Sequence, residues 1–262
     1  MTLDRKFKIG NPILEVNNIS LSFGGVKAIT DTSFNVLEHE VRAIIGPNGA
    51  GKSSMLNCIN GIYKPQQGTV SFKGKQIPDI TPNIMAQMGL SRTFQNLALF
   101  KRMSVLDNIL VGRKLHTKTN FLEVALQLPK VKKEEKQNRD RSEEIISFLE
   151  IEDIKDTPVG KLPYGLQKKV ELGRALATDS SIILLDEPMA GAGPEDTIFM
   201  TKVIAGLKGN TTILLIEHDM DVVFKLAQQI SVLVEGSVIA SGTPEEISNN
   251  DLVREAYLGS DE

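Results

Sequence analysis

The segment Gly46-Pro47-Asn48-Gly49-Ala50-Gly51-Lys52-Ser53-Ser54 has the spacing G-x-x-x-x-G-K-S of a phosphate loop. Its glycines let the backbone curl so that successive N–H groups face phosphate oxygens. Lys52 would reach the β- and γ-phosphates, and the Ser53 hydroxyl would ligate Mg²⁺. From average composition, with glycine near 7%, a chance match in a chain of this length is a roughly one-per-cent event. The context strengthens the reading, because the strand-like VRAII precedes the loop and the helical KSSMLNCI follows it. A nucleoside triphosphate is therefore the expected ligand of residues 46–54.

A second cluster lies in Ser181-Ile182-Ile183-Leu184-Leu185-Asp186-Glu187-Pro188, an apolar run ending in two acids. Carboxylates at the carboxyl end of a central strand sit at the crevice where open α/β sheets bind ligands. Asp186 is accordingly expected in the Mg²⁺ shell, and Glu187 is placed to polarise an attacking water. The run TTILLIEHDM is expected to end at His218, whose imidazole could donate to a γ-phosphate, although a strand-end histidine taken alone is more often incidental. Gln95, in LSRTFQN, could sense the metal or the water with its amide, and taken alone is equally weak. Cys58, six residues beyond Lys52 and near Leu56 and Ile59, reads as a core filler without chemistry.

The elements that must position these groups follow from the hydrophobic pattern. ILEVNNISLSF, TSFNV, VRAIIG and GTVSF in the first third read as strands, separated by turn signals such as Gly24-Gly25 and Pro65-Gln66-Gln67-Gly68. IILL and TILLI in the last third are continuously apolar, as in strands covered on both faces. Helical segments, Asp196 to Leu207 and Met220 to Gln229, lie between the late strands, and this alternation predicts a parallel α/β sheet. Residues from about Ser91 to Thr178 are helical in period and rich in mixed charge, so they read as an insertion into that core. Within it, KVKKEEKQNRDRSEE intersperses both signs without aromatic residues and is expected to be a solvated helical face rather than a nucleic-acid patch. Thr243-Pro244-Glu245-Glu246 predicts a capping box opening a last helix.

The counts agree. The chain has 262 residues, with 30 Lys+Arg against 33 Asp+Glu for a formal charge of −3. That balance, with a pI of about 5.8, argues against a nucleic-acid partner. A single cysteine excludes an intrachain disulfide. MTLDRKFKIGNP lacks the apolar core of a secretory signal, and no stretch reaches the ~18 apolar residues of a membrane span. A cytosolic globular protein is the expectation.

Taken in this order, the motifs resemble the ATPase subunit of ABC transporters over nearly the whole chain, from Leu14 to Leu258. The resemblance implies an α/β fold: a RecA-like P-loop core (12–91 and 179–240), an antiparallel β subdomain, an inserted helical subdomain (92–178) and a helical tail (243–262). It identifies Gly46 to Ser53 as Walker A, Ile182 to Asp186 as Walker B, Gln95 as the Q-loop glutamine and His218 as the switch histidine. Phe23, in LSFGG, stands where the family places an adenine-stacking aromatic; its bland reading is a core phenylalanine. FGGVKAI, IGPNGAGKSS, SRTFQN and VREAYLG look closest to importers of branched-chain amino acids or of urea and amides.

Implied cofactors are ATP and Mg²⁺. Implied partners are a second ATPase subunit, membrane permease subunits and, indirectly, a periplasmic binding protein, with this chain on the cytoplasmic side of the membrane. Two departures bear on the paired subunit. The signature stands here as Leu162-Pro163-Tyr164-Gly165-Leu166, with Tyr164, Gly165 and Leu166 expected to face the partner's nucleotide. Pro163 replaces a serine whose hydroxyl would touch the partner's γ-phosphate. A lost hydrogen bond to a charged group is worth ~1.5–3 kcal/mol. Gly193, in Ala190-Gly191-Ala192-Gly193-Pro194, stands where the D-loop usually carries Asp or Asn. Both departures favour a heterodimer, whose partner supplies an intact signature. The alternatives are a homodimeric ATPase of a lipopolysaccharide-type exporter and a nucleotide-binding regulatory subunit with little turnover.

Overall fold

The β-branched runs form strands in the computed structural model, which describes residues 8–93, 97–117, 119–126 and 128–258. In chain order the strands are β1 (Pro12–Phe23), β2 (Val26–Leu37), β3 (Val41–Ile45), β4 (Gln67–Phe72), β5 (Lys75–Gln76), β6 (Leu90–Arg92), β7 (Ile182–Asp186), β8 (Thr212–Ile216), β9 (Gln229–Val234) and β10 (Ser237–Gly242). The helices are α1 (Lys52–Ile59), α2 (Pro82–Met88), α3 (Val105–Gly112), α4 (Phe121–Ala125), α5 (Pro129–Phe148), α6 (Tyr164–Ala177), α7 (Pro194–Leu207), α8 (Met220–Leu226), α9 (Pro244–Ser248) and α10 (Asp251–Leu258).

The described residues fall into two compact units. The first runs to Arg92, resumes over Ser181–Pro188 and continues from Ile204; the second comprises Thr93–Ser180 and Met189–Val203. Two sheets make up the first unit. One is antiparallel, in the order β2-β1-β4-β5, and alternates inward and outward side chains along β1 and β2. The other has the order β10-β9-β3-β8-β7-β6, parallel throughout except for the β9–β10 hairpin. Strands β3, β7 and β8 are buried at every residue. The four Ile and Leu residues in each of β7 and β8 contribute about 1.5–3 kcal/mol apiece relative to exposure. That apolar platform fixes the carboxyl edge of the sheet, where the functional groups begin.

In the second unit α3, α5 and α6 pack together. A Cβ on Gly112 would lie 2.3 Å from the Arg174 carbonyl oxygen, so this approach of α3 to α6 requires a residue without a side chain. The charged run of α5 exposes most of its residues and buries Val131, Ser142, Ile145 and Ile146, the solvated face expected of it. Asp179, just past α6, accepts from Arg113 and Arg141. Burial pushes the Asp179 carboxyl up, but the two guanidiniums outweigh it and hold the group below its ordinary value.

Several boundaries differ from the sequence reading, α7 for instance opening at Pro194 rather than Asp196. Helix α8 stops at Leu226 rather than Gln229, because the Gln228 backbone N–H donates to the Val41 carbonyl (2.8 Å) and its side chain accepts from the Val41 N–H (2.8 Å). The sheet captures those residues before another helical turn can form. Strand β8 ends at Ile216, two residues short of His218, and Asp219 caps α8 by accepting from the N–H groups of Asp221 and Val222. The capping box of Thr243 and Glu246 forms, but the tail holds two helices, with Asn250 accepting from the Val253 N–H at the start of the second.

Candidate active site

The phosphate loop leaves the buried strand β3 at Gly46, where a Cβ would come 2.0 Å from the Leu233 carbonyl oxygen. It ends at Gly51, which caps α1 in a left-handed conformation (φ +100°) with its Cβ position 2.3 Å from the Ala28 carbonyl oxygen. Both glycines are required by backbone approaching from other strands. Gly51 offers α1 no side-chain cap, and no acid lies in the first turn. The N–H groups and positive end of that helix are therefore left for an anion.

Asn48 to Ser54 line a cleft of about 280 Å³ together with Val26, Lys27, Ala28 and Glu187. Lys52 is buried, and its ammonium donates to the carbonyls of Gly46 (2.7 Å) and Pro47 (3.0 Å). Burial lowers the Lys52 pKa from its ordinary value, while Glu187 and Asp186 act to raise it. The lysine is thus folded over its own loop, and phosphate oxygens arriving in the cleft would replace the two carbonyls as acceptors.

Asp186 ends β7 opposite Ile216. Arg92 pairs in register with Leu184, two residues earlier, so the strand alternation places Arg92 and Asp186 on one face. The Arg92 guanidinium donates to Asp186 Oδ2 at 2.7 Å and to Asn57 Oδ1 of α1 at 2.6 Å. Glu187 follows in a left-handed conformation (φ +48°), with its N–H donating to the Ile216 carbonyl at 2.9 Å. A non-glycine residue held there costs about 1–3 kcal/mol, a strain that concentrates at functional sites. Here it turns the carboxylate off the strand and into the cleft.

Of the remaining expected residues, His218 does not line this cleft. Its side chain is 64% exposed, and Nδ1 stands 3.9 Å from Glu217 Oε2, beyond hydrogen-bonding distance. Phe23 is not a core residue: it is 46% exposed and packs edge-to-face on Tyr63, with ring centroids 5.1 Å apart. Gln95 lies outside the described residues. Sequence reading missed Arg92 and Asn57. The signal for Arg92 was a cation at the end of a short strand feeding the same sheet as two acids.

The signature segment belongs to the second unit. Pro163 is the N-cap of α6, not its first helical residue, and supplies no side-chain acceptor. Tyr164 is exposed and Gly165 buried. A Cβ at Gly165 would lie 1.8 Å from Asp196 Oδ2, so the glycine makes room for a carboxylate of α7. At Gly193 a Cβ would meet nothing within 4 Å, so no close contact explains that glycine.

The ABC transporter family model matches residues 29–190, and a model described as branched-chain amino acid ATP-binding cassette transporter matches residues 237–262. The chain is 38% identical to the high-affinity branched-chain amino acid transport ATP-binding protein LivG of Salmonella typhimurium, over 96% of this chain and 99% of that one. It is 37% identical to BraF of Pseudomonas aeruginosa, with the same coverage. Among solved structures, an ATP-binding cassette of an ABC transporter in its ADP conformation superposes with a TM-score of 0.81 at 34% identity, covering 95% of this chain and 99% of that one. A nucleotide-free cassette gives 0.80 at 35% identity, covering 94% and 98%. With its phosphate loop, paired acids and two-sheet core, the chain belongs to the ABC transporter family as an ATP-binding, ABC-type ATPase.

Proposed function

We propose that this chain is the ATP-hydrolysing subunit of an importer for branched-chain or related amino acids, working with a second, non-identical ATPase subunit beneath membrane permease subunits. The observation that carries the hydrolytic part is the presence of Glu187 in the same cleft as Asn48 to Ser54. The triphosphate lies on the loop N–H groups, with Lys52 exchanging the carbonyls of Gly46 and Pro47 for phosphate oxygens. Glu187 accepts the proton of an attacking water as it approaches the γ-phosphate. By the resemblance, Phe23 stacks on the adenine and Gln95 assists at the γ-phosphate, and His218, whose exposed ring lies outside the cleft, would have to swing in to reach it. The Ser53 hydroxyl and Asp186 carboxylate form an all-oxygen donor set suited to Mg²⁺, which supplies charge neutralisation to the phosphates when bound.

The cargo assignment rests on the relatives, whose names specify branched-chain amino acid transport, and on the match of the C-terminal segment. No helix among the described residues is long and apolar enough to cross a membrane; in the proposed importer, permease partners hold the chain at the cytoplasmic face. Pro163 favours the heteromeric arrangement. The partner's signature completes the site on this chain's Walker motifs, while Tyr164, Gly165 and Leu166 face the partner's nucleotide. A periplasmic binding protein delivers the cargo.

The test is ATP turnover by the reconstituted complex with Glu187→Gln in this chain. Loss of general-base assistance lowers turnover about 10²–10⁴-fold at this site, with nucleotide affinity changed less than about threefold. Unchanged turnover would sink the hydrolytic role. Uptake of labelled leucine against labelled lysine by the same vesicles tests the cargo, and a lysine preference would reject it.

A further inference from the structure

The pair between Arg92 and Asp186 is nearly sealed from water. The arginine side chain is 7% exposed and that of the aspartate 3%. A contact so buried is not the screened, weakly stabilising kind found on surfaces. Removing one partner of such a pair leaves a charge without its compensation, a strongly destabilising change. The second arm of the guanidinium, on Asn57 Oδ1, ties the pair to the helix that carries the phosphate loop. Arg92 is also the last residue of β6, and the chain enters the second compact unit at Thr93.

We propose that Arg92 is a built-in counter-ion and positioning residue for Asp186. It compensates the carboxylate while no metal–nucleotide complex is bound, holds it in one orientation through the Asn57 bridge, and opposes the approach of a second cation. Rested on the reading of Asp186 as a Mg²⁺ ligand, the proposal makes metal affinity a compromise. The resident arginine keeps the nucleotide-free sheet edge stable and in exchange weakens the attraction of Asp186 for Mg²⁺.

Thermal unfolding of the isolated chain tests this, in EDTA alone, with ADP in EDTA, and with ADP over a Mg²⁺ titration. Arg92→Gln should unfold at lower temperature than wild type in EDTA alone. It should regain more of that loss with Mg²⁺ and ADP, and reach half of its Mg²⁺-dependent shift at a Mg²⁺ concentration at least threefold lower. Arg92→Lys keeps the charge and loses the fork; its Mg²⁺ midpoint should stay within twofold of wild type, which keeps the proposal testable if the glutamine variant does not fold. A Mg²⁺ midpoint in Arg92→Gln equal to or higher than wild type would make Arg92 merely structural and overturn the proposal, as would an Arg92→Lys midpoint lowered threefold. Asp186→Asn separates the two readings. If that variant retains the full Mg²⁺-dependent shift, the assignment of Asp186 to the metal fails, whatever Arg92 does.

Discussion

Gly49 and Gly51 lie two residues apart in the phosphate loop, both at positive φ (+81° and +100°), yet their surroundings differ. A Cβ at Gly49 would meet nothing within 4 Å, whereas one at Gly51 would stand 2.3 Å from the Ala28 carbonyl oxygen. Alanine at either position bears the left-handed cost of about 1–2 kcal/mol, partly offset by about 0.4–1 kcal/mol from a stiffer unfolded chain. Those contributions are common to both sites. Only Gly51→Ala must also open a backbone contact from 2.3 Å to at least the 3.0 Å floor for such contacts, a movement of 0.7 Å, and forced shifts of this kind cost about 1–3 kcal/mol. Gly51→Ala should therefore be the less stable variant by about 1–3 kcal/mol, read from urea unfolding followed by circular dichroism. Since Ala28 also lines the cleft, Gly51→Ala should weaken ADP binding about tenfold or more. Equal stabilities within about 0.5 kcal/mol, the usual error of such differences, would refute the claim that the neighbouring strand, rather than φ, demands the second glycine.

Replacing Pro163 by serine puts a side-chain acceptor at the N-cap of α6, where the backbone (φ −54°, ψ 154°) is already extended. The cap adds about 1 kcal/mol and loss of the proline removes about 0.4–1 kcal/mol, so the melting temperature should barely move. Nucleotide affinity linked to closure of the assembled pair should rise about tenfold, and a change in the reverse pattern would reject the assignment of this segment to the partner's phosphate. Cys58 offers a pH test: burial pushes its thiol from 9.0 up to about 11. The folded state then holds a proton that the unfolded state has lost, so stability falls as pH rises from 9 to 11, by about 2–3 kcal/mol in all. Urea unfolding across that range should show a steeper loss for wild type than for Cys58→Ala, and parallel curves would contradict it.

What the sequence made legible were features encoded by local rules. The phosphate loop, the strand bearing Asp186 and the capping box at Thr243 all lie within nine consecutive residues or fewer, and each appears where its pattern placed it. The misses at the end of α8 and at Arg92 are non-local, whereas those at His218 and in the tail sit beside local caps that the hydrophobic pattern did not show. Helix α8 is cut short by a hydrogen-bond partner 187 positions away in sequence. Arg92 meets an aspartate 94 residues on because β6 pairs with β7, and no local periodicity signals which strands will be neighbours. Phe23 illustrates the intermediate case. Alternation along β1 fitted both a core ring and an exposed one, and the bulged register with β2 between Ile19 and Ser22 helps decide which face the strand end presents.

The two helix N-termini that the resemblance assigns to phosphate are in opposite states. At α1, Gly51 supplies no cap and no acid stands in the first turn, so the helix end gains its anion only when nucleotide arrives. At α6, Pro163 likewise supplies no cap, but the Asp196 carboxylate already rests against Gly165 in the first turn. A carboxylate at such an end is worth about 0.3–1 kcal/mol, and a phosphate approaching the same turn would also be repelled by it. The α1 end is thus kept open, whereas the α6 end, which on the proposed reading faces a partner's nucleotide, is partly satisfied from within. On the proposed reading that difference acts in the same direction as the serine missing at position 163, sparing this chain's own Walker motifs and weakening a site completed for another subunit. Pro163 and the Asp196 carboxylate beside Gly165 would both act against a phosphate at α6, and on the proposed reading a homodimer would carry the two of them at each of its sites.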